Sequence, residues 1–422
     1  MSHPNPLHPA ASIILAGGQG TRLFPLTQNR CKPDVSFGGR YRLVNIPISN
    51  SLNSGIDQIF VISQFFSSQL NFHISQTFSS HPLYSRPIHF LYPEEKTKGR
   101  QWYEGTADAI RKNLDVFENL AVDYFIILSG DQLYSMDIQA MLEFTQQSEA
   151  QMCVATLLVQ EKEATRMGLM KIDETRRIVD FYEKPKEKEL LERFCNRTNI
   201  RHEKEYLASM GIYIFKKSVL IDLLKTHPGM DFGKDLIPHQ IKNGKKSVAF
   251  LYDGYWEDIG TVSSFYQANL ALTQGHLALD LYDDQKPIFA QPNHFPSARI
   301  EKTQVEKSII CEGSIIDASS IINSMIGPRV KIGTNCLIED CVVLGNPISD
   351  SLKPWSLKNK TIGDNTILKG VILDEYVTIG KNVQLINEKN LDHYDGDGIY
   401  IRDKIIVISS NKVIPDGFIF NP

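Results

Sequence analysis

Three glycines in four positions, Gly17, Gly18 and Gly20, follow the apolar run Ile13-Ile14-Leu15-Ala16, and Arg22 stands two residues beyond them. A buried strand that empties into a loop of so little side-chain bulk exposes backbone N–H groups, which can converge on phosphate oxygens or on a nucleotide base. Arg22 adds a planar fork of donors. Ten residues further on, Lys32 in Arg30-Cys31-Lys32-Pro33 brings a second cation within reach of the same phosphate chain. Two common glycine loops do not fit. No Lys-Ser or Lys-Thr follows Gly20, and Leu23 stands where a dinucleotide fingerprint needs a third glycine.

Acidic groups stand at the corresponding places further along. Asp131 ends the run Tyr124-Phe125-Ile126-Ile127-Leu128-Ser129-Gly130, at the carboxyl end of an expected strand, where ligands collect in open α/β sheets. A carboxylate there serves either as a turn or cap residue or as a ligand for a divalent cation such as Mg²⁺ that screens phosphate charge. Asp258 in Tyr255-Trp256-Glu257-Asp258-Ile259-Gly260-Thr261 is a second candidate. Glu183-Lys184-Pro185 sets an acid beside a base, which suits either a solvated charge pair or a grip on a polar, anionic ligand.

The elements that must carry these residues alternate. Residues 13–15, 58–63, 88–92 and 124–128 read as strands, and 66–78 and 107–120 as helices, with a further helix over 42–52 interrupted at Pro47. This predicts an α/β fold with a Rossmann-like, mostly parallel sheet covered on both faces. Residues 151–159 and 209–215 predict further strands, 168–172 and 178–182 a hairpin turning at 174–177, and 219–224 and 236–241 helix faces. Thr261 caps a helix that runs to about residue 272 and ends at Gly275.

Periodicity then fails over 280–296, where Asp283-Asp284, Pro287, Pro292 and Pro296 read as a linker. Beyond 297 apolar residues recur every six positions, at Ile326, Ile332, Ile338 and Leu344, at Val371, Val377 and Val383, and at Leu373, Ile379 and Leu385. Ile332-Gly333-Thr334-Asn335, Ile362-Gly363-Asp364-Asn365 and Ile379-Gly380-Lys381-Asn382 are near copies. Six is not a helix period; it fits coils stacked into a parallel β-helix, with 345–361 bulging out of register. The chain of 422 residues exceeds the usual limit for one core, so the expected domains are 1–279, the linker 280–296, and a left-handed parallel β-helix over 297–422.

Composition narrows the functional class. A net charge of −4 gives no electrostatic reason to expect nucleic acid or an anionic membrane as partner. Residues 1–10 carry no apolar signal core, and no apolar run approaches the ~20 residues of a membrane span. Six cysteines without a Cys-x-x-Cys pair read as reduced thiols of a soluble, cytoplasmic protein. The open ends and flat faces of a β-helix are docking surfaces, which predicts a homo-oligomer.

Leu15-Ala16-Gly17-Gly18-x-Gly20-Thr21-Arg22-Leu23 with Lys32-Pro33 resembles the signature of sugar-phosphate nucleotidyltransferases. Trp102-Tyr103-x-Gly105-Thr106-Ala107-Asp108, Gly130-Asp131, Glu183-Lys184-Pro185, Ala208-Ser209-Met210-Gly211 and the block around Asp258 are similar, in order, to the ADP-glucose pyrophosphorylase branch of that family. The resemblance implies adenylyl transfer from ATP to glucose 1-phosphate in a tetramer. It implies catalytic roles for Arg22, Lys32, Asp131, Lys184 and Asp258, with Mg²⁺ on Asp131 and Asp258. Leu15, Ala16, Gly17, Gly18, Gly20, Thr21, Arg22, Glu94, Gly105 and Thr106 are implied on the nucleotide, and Tyr103, Gly168, Glu183, Lys184 and Ser209 on the sugar phosphate.

The chain also departs from that pattern. Glu94-Glu95 replaces a Gln-Gln pair, which leaves the choice of base open, since a carboxylate suits the adenine amino group and the paired donors of guanine alike. Gln132 replaces a histidine after the metal aspartate. Asn29 stands where enteric relatives have the lysine that binds fructose 1,6-bisphosphate, and Glu388 and Ser410 where plant and cyanobacterial relatives have lysines linked to 3-phosphoglycerate. Without those cations the means of holding a phosphorylated effector is gone. Rate measurements with each compound should therefore show weak or no activation, and several-fold activation at low concentration would overturn that expectation.

Overall fold

The computed structural model describes residues 9–56, 58–78, 87–93, 95–96, 99–100, 102–197, 204–274, 279–347 and 360–422. Glu94, Gly275, the centre of the expected 345–361 bulge and residues 1–8 lie outside the described residues.

Strands β1 (Ala10–Leu15), β2 (Gln58–Ile62), β3 (His89–Leu91) and β4 (Tyr124–Ser129) form the parallel centre of the sheet, in the order β4-β1-β2-β3. Strands β1, β2 and β4 are near-continuous apolar runs because both faces are covered, while β3 is a partly exposed edge. Alternate side chains serve two cores: Ile14, Val61, Ile126 and Leu128 on one side, Ile13, Phe60, Phe125 and Ile127 on the other. Outside this centre lie β5 (Met152–Gln160), β6 (Gly168–Ile172), β7 (Ile178–Glu183), β8 (Lys204–Lys216) and β9 (Ser247–Leu251). The long strand β8 runs antiparallel to β4 and β5, and β6 and β7 form the expected hairpin.

Two helices differ from expectation. Helix α1 (Asn45–Asn53) is not interrupted at Pro47, because proline in the first turn removes an N–H that has no intrahelical partner. The single helix expected over 107–120 is two, α2 (Thr106–Arg111) and α3 (Leu114–Glu118), parted at Asn113, whose side chain donates to the Tyr103 hydroxyl and the Ala109 carbonyl. The Thr261 cap accepts from Ser264 N at 3.1 Å and opens the helix Val262–Ala271. Residues 287 and 289 are tied to α1 through Asn53 and Asn45.

From Arg299 onward short strands stack in parallel, and Ile300, Ile316 and Ile332 form successive rungs. The rung continues to Ile362, Ile379 and Ile414, and the long step from 332 to 362 spans the expected bulge. All the residues of the six-residue series are buried, in its core except for Leu344, which packs in the cluster shared with the first domain. The near-copies end in asparagine because the corner requires positive φ, which asparagine tolerates: Asn335, Asn365 and Asn382 have φ of 58°, 58° and 56°. Their amides form a ladder at 3.2 and 3.0 Å. One departure follows. His393–Asp395, Ile399–Arg402 and Ile405–Ile408 pair antiparallel, the last two through Asp403 and Lys404, both at positive φ as a tight hairpin turn requires.

The two domains meet in a buried charge cluster. Arg30 lies 3.2 Å from Asp374 and 3.1 Å from Glu375, Arg42 pairs with Asp34 at 3.2 Å and Glu375 at 3.6 Å, and Ser36 donates to Glu375. Burial acts to raise Glu375, but Arg30 and Arg42 outweigh it and hold the carboxyl below its ordinary range. Asn29 and Ser410 adjoin beside this cluster, with Asn29 Nδ2 3.4 Å from Ser410 Oγ. Glu375→Ala leaves two buried guanidinium groups short of one counter-charge. It should lower the unfolding free energy by about 3 kcal/mol, seen as a lower denaturant midpoint. An unchanged midpoint would show that the cluster carries no net weight.

Candidate functional site

A cleft of about 540 Å³ opens over the carboxyl ends of β1, β2 and β4, lined there by Leu15, Ile62, Ser129 and Asp131. This is the crevice that a parallel sheet offers to ligands. Gly17 and Gly18 form one lip, and a Cβ on Gly18 would meet nothing within 4 Å, so the backbone there is open to a ligand.

Beside the cleft the expected charges converge. Asp258 is brought to Asp131 by a short antiparallel ladder, Trp256–Asp258 on Gln132–Tyr134, in which Asp258 is paired with Gln132. Lys32 Nζ joins the two carboxylates, 2.7 Å from Asp131 and 3.4 Å from Asp258. Burial would lower the Lys32 pKa, but Asp131 and Asp258 overcome it and raise it, so this ammonium stays charged. Ser129 donates to the other oxygen of Asp131. Arg22 is exposed on a single turn, Thr21–Leu23, and its guanidinium flanks Gly260 together with the Asp258 carboxylate.

Gly20 explains how Lys32 arrives. It has φ +66°, and a Cβ there would stand 2.8 Å from Lys32 Cβ and 3.0 Å from Thr27 Cγ2. The third glycine of the loop thus makes room for the lysine rather than facing the cleft.

The opposite wall carries Glu183 and Lys184 at the end of β7, with Lys184 Nζ 3.3 Å from Glu183 Oε1. Lys184 has φ +52°, a strained conformation for a lysine and of the kind that clusters at functional sites. Burial raises the Glu183 pKa, opposed by Lys184. Two glycines make its seat: a Cβ on Gly168 would lie 2.6 Å, and on Gly233 2.5 Å, from Glu183 Oε2.

Not every expected residue lines the cleft. Leu15, Gly17, Gly18, Tyr103, Gly105, Thr106, Asp131, Glu183 and Lys184 do. Ala16 is buried, Gly168 stands behind Glu183, and Ser209 accepts from Gly211 N at 3.2 Å, so it acts on the wall through Gly211. Sequence reasoning passed over Gln64, which bonds both the Tyr103 main chain, at 3.0 and 3.4 Å, and the Gly17 carbonyl, at 3.3 Å. Its position just after β2 was the available signal. It also passed over Asp231, Phe232 and Gly233, which line the cleft where Asp231 caps a short π-helical turn, Phe232–Leu236, a local geometry that no apolar periodicity marks.

Two convergent carboxylates fit a hard cation such as Mg²⁺, which takes one or two carboxylates and completes its shell with phosphate oxygens and water. Among the described residues no cluster of three or more His, Cys, Asp or Glu offers a self-sufficient metal cage. No helix among them is long and apolar enough to cross a membrane.

Residues 11–275 match the family described as Nucleotidyl transferase, and the chain belongs to that family. Residues 293–419 match the GLGC left-handed parallel beta-helix domain. This pairing is the architecture of ADP-glucose pyrophosphorylase-like enzymes and supports a sugar-phosphate nucleotidyltransferase. Nucleotidyltransferases commonly use Mg²⁺.

Gly20→Ala forces a side chain into a left-handed position against Lys32, at a backbone cost of about 1 kcal/mol. Turnover in a pyrophosphate-release assay should fall on the order of tenfold as the ammonium is displaced. Unchanged turnover would separate the lysine from the chemistry.

Proposed function

We propose that the protein transfers the adenylyl group of ATP to α-D-glucose 1-phosphate, giving ADP-glucose, a glucosyl donor for glycogen or starch synthesis, and pyrophosphate. One observation carries this reading. Arg22, Lys32 and Asp258 gather round Asp131 beside a cleft that Asp131, Glu183 and Lys184 all line.

An oxygen of the sugar phosphate attacks the α-phosphorus, a new P–O bond forms, and the bond to the β-phosphate breaks in line, releasing pyrophosphate. Two anions must meet, so the work is charge neutralisation and alignment, and no protein nucleophile is required. Asp131 and Asp258 would hold Mg²⁺, which when bound neutralises charge on the phosphate oxygens. Lys32 and Arg22 stabilise the negative charge that grows on the leaving pyrophosphate. Gly17 and Gly18 admit the nucleotide close to the main chain. Lys184 grips the phosphate of the sugar phosphate, and Glu183 and Asp231 accept from sugar hydroxyls. The β-helix faces would assemble the chain as a homotetramer in the cytoplasm.

The same chemistry with GTP or UTP, and a regulatory subunit without turnover, are the other readings. The retention of all five charged groups favours catalysis. Pyrophosphate release from purified protein with Mg²⁺ and glucose 1-phosphate should be at least tenfold faster with ATP than with GTP or UTP. Faster release with another nucleotide would reassign the base, and none with any would leave a non-catalytic subunit. In the acid range the Michaelis constant for glucose 1-phosphate should fall as pH rises through the raised pKa of Glu183.

A further inference from the structure

We infer that Thr106 and Arg111, at the two ends of α2, are positioning residues that hold the sugar-phosphate wall, so that this block governs recognition of the sugar phosphate rather than of the nucleotide. This rests on the assignment of Glu183 and Asp231 to the sugar.

The segment 227–231, which leads to Asp231, contains no helix or strand, so its backbone takes no conformation from a ladder of its own. The Met230 and Asp231 N–H groups donate to Asp235 Oδ2, at 2.8 and 3.0 Å, while the segment's carbonyls are held from α2. Arg111 Nε donates to the Leu224 carbonyl at 2.9 Å, and Nη2 donates to the carbonyls of His227 at 3.0 Å and Gly229 at 2.5 Å. The first of these belongs to the last turn of the helix Lys217–Thr226, where carbonyls lack intrahelical donors and a cation is favoured.

The other end of α2 continues the contact. The free N–H groups of its first turn, on Ala107 and Asp108, both donate to the Met230 carbonyl, at 2.9 and 3.2 Å. Thr106 Oγ1 donates to Asp231 Oδ2 at 3.1 Å and accepts from Phe232 N at 3.1 Å. Gly105 permits this approach, since a Cβ there would stand 2.3 Å from the Met230 oxygen. The single donor of the Thr106 hydroxyl is therefore committed to Asp231. Beyond Asp231 the chain reaches Gly233, against which the Glu183 carboxylate is seated. A guanidinium, a hydroxyl and two amides from one short helix thus hold the wall from one side, and the Asp235 carboxylate holds it from the other end of the segment.

Misplacement of a binding wall by a fraction of an ångström is felt in the affinity for the ligand it touches. The test uses the full-length protein with Arg111→Ala, Arg111→Lys, Thr106→Val and Thr106→Ser. Michaelis constants for glucose 1-phosphate and for ATP are measured separately by pyrophosphate release, and amide hydrogen exchange is followed over 227–235. Arg111→Ala and Thr106→Val should raise the constant for glucose 1-phosphate about tenfold and leave that for ATP within about twofold. Exchange over 227–235 should quicken in both, while Thr106→Ser stays near the parent and Arg111→Lys falls between. Thr106→Val is nearly isosteric and so keeps the proposal testable should Arg111→Ala fold poorly. Equal rises in both constants, a fall in turnover alone, or unaltered exchange would overturn the proposal. A parent protein that releases no pyrophosphate with any nucleotide sinks the functional reading and this proposal together. An active parent with unsplit constants sinks only the proposal.

Discussion

A lysine ammonium withdrawn from water cannot remain charged without anionic company, and Lys32 finds that company in Asp131 and Asp258. The three residues come from distant parts of the chain, and each is delivered by a separate device. Gly20 leaves the volume that Lys32 fills, β4 ends one turn before Asp131, and the ladder between Trp256–Asp258 and Gln132–Tyr134 brings the second carboxylate alongside the first. Removing Lys32 would leave Asp131 and Asp258 without their shared counter-charge, and removing either carboxylate would leave the buried ammonium with a single partner.

The same backbone carries the contact between domains. Arg30 lies two residues before Lys32 and is enclosed by Asp374 and Glu375 from the β-helix, while Arg42 and Ser36 close the cluster from the far side of the loop. Asn29 meets Ser410 at its edge. Residues 29–42 therefore serve both as the interdomain seam and as the support of the site's central cation. The β-helix thus braces the segment that carries Lys32, although among the described residues it contributes none of those that line the cleft.

Much of this was legible in the sequence because it depends on local repetition or on residue type. The apolar runs of β1, β2 and β4 report strands covered on both faces, and the six-residue apolar recurrence reports a β-helix, since both patterns follow from which side chains must avoid water. Phosphate chemistry was legible in Gly17, Gly18, Arg22 and Lys32 because few side chains can serve it.

What only the tertiary structure decided is how residues remote in the chain divide the work. Gly20 reads as a nucleotide contact and proves to be the floor beneath Lys32; Thr106 reads the same way and bonds Asp231; Gln64 and Asp231 bear no motif of their own. The turn at Asp403-Lys404 lacks the glycine that announces a hairpin, and the uninterrupted α1 depends on where its first turn begins. Residue type and spacing determine which chemistry a chain can perform and which strands it forms, because those follow from each side chain and its near neighbours. Which groups share a cavity, and which merely support those that do, follows from contacts across hundreds of residues, and only packing establishes those.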